Sequence, residues 1–66
     1  MFIQGQQVTY IEPGPKLRDA EIEAITETHV YVHVPEFLEN GHVEPTKAYT
    51  MPLSIAQVND YVRAKE

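Results

Sequence analysis

The side chains best able to do chemistry lie in one alternating segment, residues 28–34. Its sequence, Thr-His-Val-Tyr-Val-His-Val, places valine at every second position. A strand has a side-chain period of two, so the valines line one face while His29, Tyr31 and His33 line the other. The segment therefore predicts a half-buried β-strand with a dry face and a polar face that carries two imidazoles and a phenol.

Histidines are common metal ligands, so their spacing decides whether this strand can hold a metal ion. His29 and His33 are four residues apart, which along a strand is about 13 Å, too far to share a metal with bonds of about 2 Å. A metal site would need His33 beside Glu21 or Glu23 of the preceding strand. It would also need a third ligand, for which His42 is the candidate. We expect a solvated cross-strand pair instead, with no metal and no cofactor.

The residues needed for catalysis are scarce. The chain has no cysteine, a single serine (Ser54) and no glycine-rich phosphate loop. It also lacks a pair of acids placed in a recognisable pocket. A domain of this size has no interior cavity for a substrate. We therefore predict that the protein is not an enzyme, the one alternative being a site shared between subunits.

Length and charge limit the remaining classes. The 66 residues suffice for one small domain, residues 1–66, with one core. Ten acids against five bases give a net charge of −5, which disfavours binding to phosphate backbones and suits solubility or a basic protein partner. No apolar run approaches the roughly 20 residues that span a bilayer, and no secretory signal begins the chain. We expect a cytoplasmic protein with no membrane partner.

Two strands are predicted in the first half of the chain. Residues 6–11 alternate as a strand that ends at a type II turn, with Pro13 in its second position and Gly14 supplying a positive φ in its third. Residues 18–25 alternate small and acidic side chains, which favours a second strand. Its inner face would carry Ala20, Ile22 and Ala24.

The polar segment opens a predicted hairpin. Asn40-Gly41 is the signal for a type I′ turn, which would join strands at about residues 28–39 and 42–51. In that register Val34 faces Lys47. Prolines in both strands would loosen the tip of the hairpin.

The last element is a predicted helix over residues 54–64. Ser54 and Gln57 match a capping box, and Arg63 and Lys65 would lie in the last turn. We expect one core of apolar side chains from the strands and this helix: Val8, Ile22, Val30, Val32, Val34, Met51, Ile55 and Val58.

This layout resembles the SH3-like small-barrel group, which includes SH3, Tudor and KOW-type domains. The resemblance lies in the opening Gly5-Gln6-Gln7-Val8, in residues 20–25 leading into 30–34, and in residues 49–53 before the helix. It implies a mainly β fold, a small barrel or strongly bent antiparallel sheet of four or five strands with a C-terminal helix. The alternative is an open antiparallel sheet with the helix across it. The closing helix is longer than the usual 3₁₀ turn of that group.

The resemblance also implies how such a domain would act. Tudor and SH3 domains hold cations or proline-rich peptides with aromatic side chains, and Tyr10, Tyr31, Tyr49 and Phe37 are the candidates here. The other reading is that Tyr10 and Tyr49 belong to the core.

We predict a non-catalytic protein-interaction module that binds a larger protein. The predicted surface combines the polar strand face with apolar residues of the hairpin: His29, Tyr31, His33, Phe37, Leu38, Val43 and Tyr10. A homodimer or higher oligomer is a second possibility for the same surface. Two other functions remain open. One is an acidic inhibitor of a host protein, of phage or mobile-element type; the other is KOW- or Sm-like binding of nucleic acid, which only Lys16, Arg18 and Lys47 could serve.

Overall fold

The computed structural model describes residues 2–65 of the chain. These residues form five antiparallel strands in one sheet and one short helix, which confirms the predicted mainly β class. The elements are β1 (Gln7–Glu12), β2 (Lys16–Ile25), β3 (His29–Val34), β4 (Tyr49–Ser54), α1 (Ile55–Tyr61) and β5 (Val62–Ala64). The strand order is β4-β3-β2-β1-β5, so the last strand returns to pair with the first.

The turn between β1 and β2 covers residues 13–15 and is shorter than the predicted strands, residues 6–11 and 18–25, would leave. Gly14 has a φ of +125°, the left-handed region that a residue without Cβ enters at little cost. Glu12 faces Lys16 across the turn, so β2 begins two residues earlier than the predicted residue 18. The tight connection therefore extends both strands to the turn itself.

A β-bulge changes which residues of β2 face the core. Ile22 lies opposite Val32, but Ala24 lies opposite Tyr31, so Glu23 is an extra residue without a partner. One inserted residue reverses the alternation of faces. Beyond the bulge Ile25, opposite Val30, takes the inner face, and the prediction that Ala24 lies there was wrong.

The predicted long hairpin is interrupted. β3 ends at Val34 and β4 begins at Tyr49, rather than running over residues 28–39 and 42–51. The segment between them, residues 35–48, is called the arm below. Its one bridge joins Phe37 to Thr46.

The turn chemistry explains this interruption. A type I′ turn needs a positive φ at both central residues, but in the described chain Gly41 has one (+83°) and Asn40 does not. The turn is still closed by a bond of 3.1 Å from the His42 N–H to the Glu39 carbonyl, but its backbone is not that of a type I′ turn. In the structure Val34 faces Tyr49, two residues beyond the predicted Lys47. An even shift keeps every side chain on its predicted face.

The C-terminal helix is shorter than predicted. Ser54 caps it, and the side chain of Gln57 accepts a bond of 3.4 Å from the Ser54 N–H, as the predicted capping box requires. The helix ends at Tyr61, not at residue 64, because Val62 is extended and pairs with Tyr10 of β1. Arg63 lies in β5 and still donates to the Asn59 carbonyl in the last helical turn.

The inner face of the sheet and one face of α1 form the core. Six of the eight predicted core residues are buried: Val8, Ile22, Val30, Val32, Val34 and Val58. Met51 is half-buried against them, whereas Ile55 is 47% exposed, so the prediction that it belongs to the buried core was wrong. Tyr10, Ala20, Leu53 and Val62 complete the core. Among residues 2–65, no helix has the length and apolar character needed to cross a membrane.

Candidate interaction surface

A row of polar side chains crosses the outer face of the sheet. Register places Gln7, Glu21, His33 and Thr50 next to one another on four successive strands, and Glu21 faces His33 as predicted. The Gln7 side-chain amide donates to Glu21 at 2.9 Å, and the Nδ1 of His33 lies 3.4 Å from the hydroxyl of Thr50. The row is a set of neutral and charge-assisted hydrogen bonds between strands.

His29 and Tyr31 continue this outer face toward the β2–β3 turn. Their ring centres are 6.4 Å apart and the rings are tilted by 39°. The Nδ1 of His29 lies 2.8 Å from the hydroxyl of Thr28. All three predicted side chains of β3, His29, Tyr31 and His33, are half-buried on this face. Within residues 2–65, no three potential ligands come together to hold a metal ion.

The half-buried guanidinium of Arg18 attaches the arm to the sheet. Arg18 of β2 is only 13% exposed, and its Nε lies 3.0 Å from a carboxylate oxygen of Glu12. Its second charged contact is with Glu39 of the arm. The guanidinium carbon lies 3.9 Å from the ring centre of Phe37, also in the arm. Tyr49 donates from its hydroxyl to Glu12 at 3.2 Å. We call these five residues the arginine cluster.

The charges of the arginine cluster reinforce one another. Hydrogen bonds from Arg18 hold the pKa values of Glu12 and Glu39 below their usual range. Burial, with the nearby Glu12 carboxylate, raises the pKa of Tyr49 to about 12. Tyr49 therefore remains a hydrogen-bond donor at neutral pH, and both carboxylates remain acceptors. At neutral pH the two carboxylates are charged and Tyr49 is protonated, so each group of the cluster can make the hydrogen bond in which the structure places it.

The four aromatic residues considered for a cage do not form one. Tyr10 is 3% exposed and belongs to the core, so it contributes nothing to a surface. Tyr31 lies on the opposite face of the sheet. The ring of Phe37 is covered by Arg18, which occupies the position that a cationic ligand would take.

Large apolar side chains are exposed around the arm. Val43 is 96% exposed and Leu38 is 62% exposed, as expected from the sequence of the hairpin tip. Leu17 of β2, at 70% exposed, was not predicted. Its position on the outer face, in alternation with Asp19 and Glu21, is the sequence signal that could have found it. A groove of about 220 Å³ lies where residues 17–19 meet residues 35–37 of the arm.

The edge of the sheet beside β3 offers little to an added strand. β4 is an edge strand, and its Ser54 N–H bonds to Gln57 rather than to β3. In an antiparallel ladder alternate residues point their N–H groups outward, which places Pro52 and Thr50 in the same orientation as Ser54. Proline has no N–H, so Thr50 holds the one free donor of this edge. β4 therefore offers an added strand a single N–H donor beside its outward carbonyls.

The charge available to a partner is mostly negative. Within the described residues, six carboxylates have no basic group within 4.0 Å: Glu21, Glu23, Glu27, Glu36, Glu44 and Asp60. The corresponding bases without a carboxylate are Lys47 and Arg63. Lys16 pairs with Glu39 at 3.3 Å, and Lys65 pairs with Asp19. The exposed negative charges therefore favour a partner with a basic surface.

Comparison with known proteins does not assign a function. The chain matches no protein-family model, no curated protein and no solved structure. The chemistry of its own surface is therefore the basis for inferring what it binds.

Proposed function

We propose that this protein is a non-catalytic interaction module that binds a larger protein through the arm. The observation that carries the proposal is the exposure of Leu38 and Val43 on a segment that the arginine cluster holds in place. When a partner covers exposed apolar side chains, their surface is removed from water, and this burial favours formation of the complex. An anchored segment also loses less conformational entropy on binding than a free loop would.

The length of the arm supports the same conclusion. It spans residues 35–48, between Val34 and Tyr49, with one bridge across it. Irregular connections longer than about 12–15 residues are uncommon in small domains and usually serve binding or remain disordered. The contacts of Phe37 and Glu39 with Arg18 hold the arm against the sheet, which favours a binding role over disorder.

The order of strands supports the resemblance to SH3-like small barrels. A four-strand meander, a short helix and a last strand that pairs with β1 follow one another in this chain. We propose membership of that group, and a cytoplasmic location, as parts of the same hypothesis. Domains of this layout mostly act by presenting surfaces to partners.

The pairing of the basic residues disfavours nucleic acid as the partner. Of the three candidates for phosphate contacts, Lys16 and Arg18 are neutralised by Glu39 and Glu12, which leaves Lys47. Binding to a phosphate backbone depends on several cations acting together. The six unpaired carboxylates favour instead a second candidate, an acidic inhibitor that occupies the basic site of a host protein.

Affinity capture from the native cell, read by quantitative mass spectrometry, tests this proposal. Three baits are compared: wild type, a Leu38→Asp/Val43→Asp variant, and Ile3→Asp as a matched control. Ile3 is exposed outside the arm, so its variant makes the same chemical change elsewhere. We expect a protein that wild type and Ile3→Asp recover equally and the arm variant loses.

Two results would contradict the proposal. One is recovery of the same protein with the arm variant, provided that its circular dichroism matches wild type. The other is salt-sensitive capture of RNA or DNA without any protein, which would support the nucleic-acid alternative.

A further inference from the structure

The dipeptide Asn40-Gly41, at the tip of the arm, carries a chemistry that has no part in the proposed binding. An asparagine side chain has an electrophilic carbon, Cγ, and attack on it by the backbone nitrogen of the next residue closes a five-membered ring. Reactions between two groups of one chain gain rate because the groups are already close together. A side chain on the attacking residue hinders the approach, and glycine has none.

The structure leaves this peptide open to water. Asn40 and Gly41 are both exposed. Within residues 2–65, no heavy atom beyond the adjacent residues lies within 4 Å of the position that a Cβ of Gly41 would take. The side-chain hydrogen bonds of the arm, in the same range, are those of Glu39, so the amide of Asn40 is not engaged. The Gly41 N–H has no backbone acceptor there either.

Few backbone bonds fix the conformation of this peptide. The attack requires the backbone at Asn40 to rotate until the Gly41 nitrogen faces Cγ, which a regular ladder of hydrogen bonds would prevent. At the tip, the described chain has one turn bond, from the His42 N–H to the Glu39 carbonyl, and the single bridge of the arm lies further back. Exposed segments with so few bonds open at little cost in free energy.

The other asparagine of the chain is in the opposite situation. Asn59 lies within α1, and the residue after it is Asp60, which has a side chain. The helix holds the Asp60 N–H in its regular pattern of backbone bonds. Asn59 is therefore an internal reference for what the arm allows at Asn40.

We propose that Asn40 is a site of spontaneous deamidation. The Gly41 nitrogen bonds to Cγ of Asn40, the bond from Cγ to Nδ2 breaks, and ammonia leaves with the proton of the Gly41 N–H. The product is a cyclic imide. Water then adds to either carbonyl carbon of the ring and breaks the bond of that carbon to nitrogen, giving aspartate or isoaspartate. In sum, one water is consumed and one ammonia is released.

The reaction alters the turn that closes the arm. Both products place a new negative charge at its tip, and modifications that change charge act through their local contacts. Isoaspartate also adds a methylene to the main chain between the Glu39 carbonyl and the His42 N–H, whose bond of 3.1 Å then loses its geometry. The tip of the arm thus changes irreversibly in charge and backbone as the protein ages.

Mass spectrometry of the full chain, incubated folded at neutral pH and then cleaved after glutamate, tests the proposal. Cleavage places Asn40 in peptide 40–44 and Asn59 in peptide 45–66. We expect peptide 40–44 to acquire, with time, the mass gain of an amide converted to a carboxyl group. Peptide 45–66 should acquire it at least about tenfold more slowly, a difference in barrier of about 1.4 kcal/mol.

Matched variants identify the reacting side chain. Asn40→Gln keeps the amide but requires a larger ring, so peptide 40–44 should no longer gain mass. Asn59→Gln makes the same change in α1 and should leave the rate at Asn40 as in wild type. Equal rates in the two wild-type peptides would overturn the proposal, as would an unchanged mass of peptide 40–44.

Two further measurements test the part played by the structure. Unfolding in urea should leave the rate at Asn40 nearly unchanged, since the arm already leaves the peptide free. A folded rate about tenfold below the unfolded one would contradict this. In nuclear magnetic resonance spectra, conversion should shift the amide signals of Gly41 and His42 and leave those of Ile22 and Val32 in place. Unchanged Gly41 and His42 signals in a chain that has gained the mass would show that the turn is not altered.

Discussion

At the scale of single residues, Arg18 is the side chain whose environment is most specific. It lies on the inner face of β2, opposite Tyr10, where an unpaired charge would be strongly unfavourable. Two carboxylates and the ring of Phe37 replace the water that it loses. Alternation indicates which face position 18 occupies, but it cannot indicate that Glu39 and Phe37 reach it, because both come from the arm.

The buried valines of β3 carry stability, and Val32 is the clearest test. Its side chain is fully buried between Ile22 and Met51, so Val32→Ala removes apolar contacts and leaves a cavity. We expect a loss of about 2–3 kcal/mol in the free energy of unfolding, measured by urea denaturation. Val43→Ala makes the same chemical change at an exposed position and should have almost no effect. Equal losses for the two variants would show that the faces of β3 are wrongly assigned.

At the scale of elements, the arm depends on ion pairs rather than on a ladder of backbone bonds. Pro35 and Pro45 cannot donate backbone hydrogen bonds, and a single bridge joins Phe37 to Thr46. The arginine cluster therefore supplies the strongest polar contacts between the arm and the sheet. Loss of charge in the cluster should loosen the arm before it affects the core.

Acid should release the arm. The pKa values of Glu12 and Glu39 are lower in the folded protein than the ordinary 4.5. Their stabilising effect is thus complete above that pH and is lost as the pH falls through the lower folded-state values. We expect the ring signals of Phe37 to move toward random-coil positions below about pH 4 in nuclear magnetic resonance spectra.

A pair of variants controls the acid experiment. Arg18→Ala should show the released positions of Phe37 already at neutral pH and no further transition of the arm in acid. Lys65→Ala breaks the pair with Asp19 and should leave the acid transition unchanged. An unchanged Phe37 environment in Arg18→Ala would mean that the cluster does not hold the arm.

At the scale of the whole molecule, the protein combines a rigid sheet with an extended end. Its radius of gyration of 12.0 Å exceeds the value of about 11 Å for a compact chain of this length, and its extents are 39 × 22 × 19 Å. The central strands β2 and β3 lie between neighbours on both sides. Opening of the molecule should therefore begin in the arm and end in these strands.

Amide hydrogen exchange tests this order of stability. We expect the amides of Ile22 and Val32 to exchange only through global unfolding, and those of residues 40–44 to exchange at nearly unprotected rates. Protection of residues 40–44 that disappears on dilution would show that the arm is covered by a second copy in solution. That result would replace the larger protein partner with a homodimer.

The sequence by itself determined the features that depend on neighbouring residues. Alternation over residues 29–34 is sufficient for a half-buried strand, and the Ser54 and Gln57 pair is sufficient for the start of the helix. It also identified Leu38 and Val43 as apolar residues at the hairpin tip. The mainly β class follows from such local patterns, because side-chain period and capping need only a few adjacent residues.

The tertiary structure alone decided the features that depend on distant segments. α1 stops at Tyr61 because β1, from the other end of the chain, offers Val62 a buried strand partner in Tyr10. The two-residue shift of β4 and the reversal at Glu23 likewise arise where strands pair. Arg18 acquires its partners in the same way. In each case long-range pairing contributes more free energy than the local propensity that it overrides, so no short stretch of sequence records the outcome.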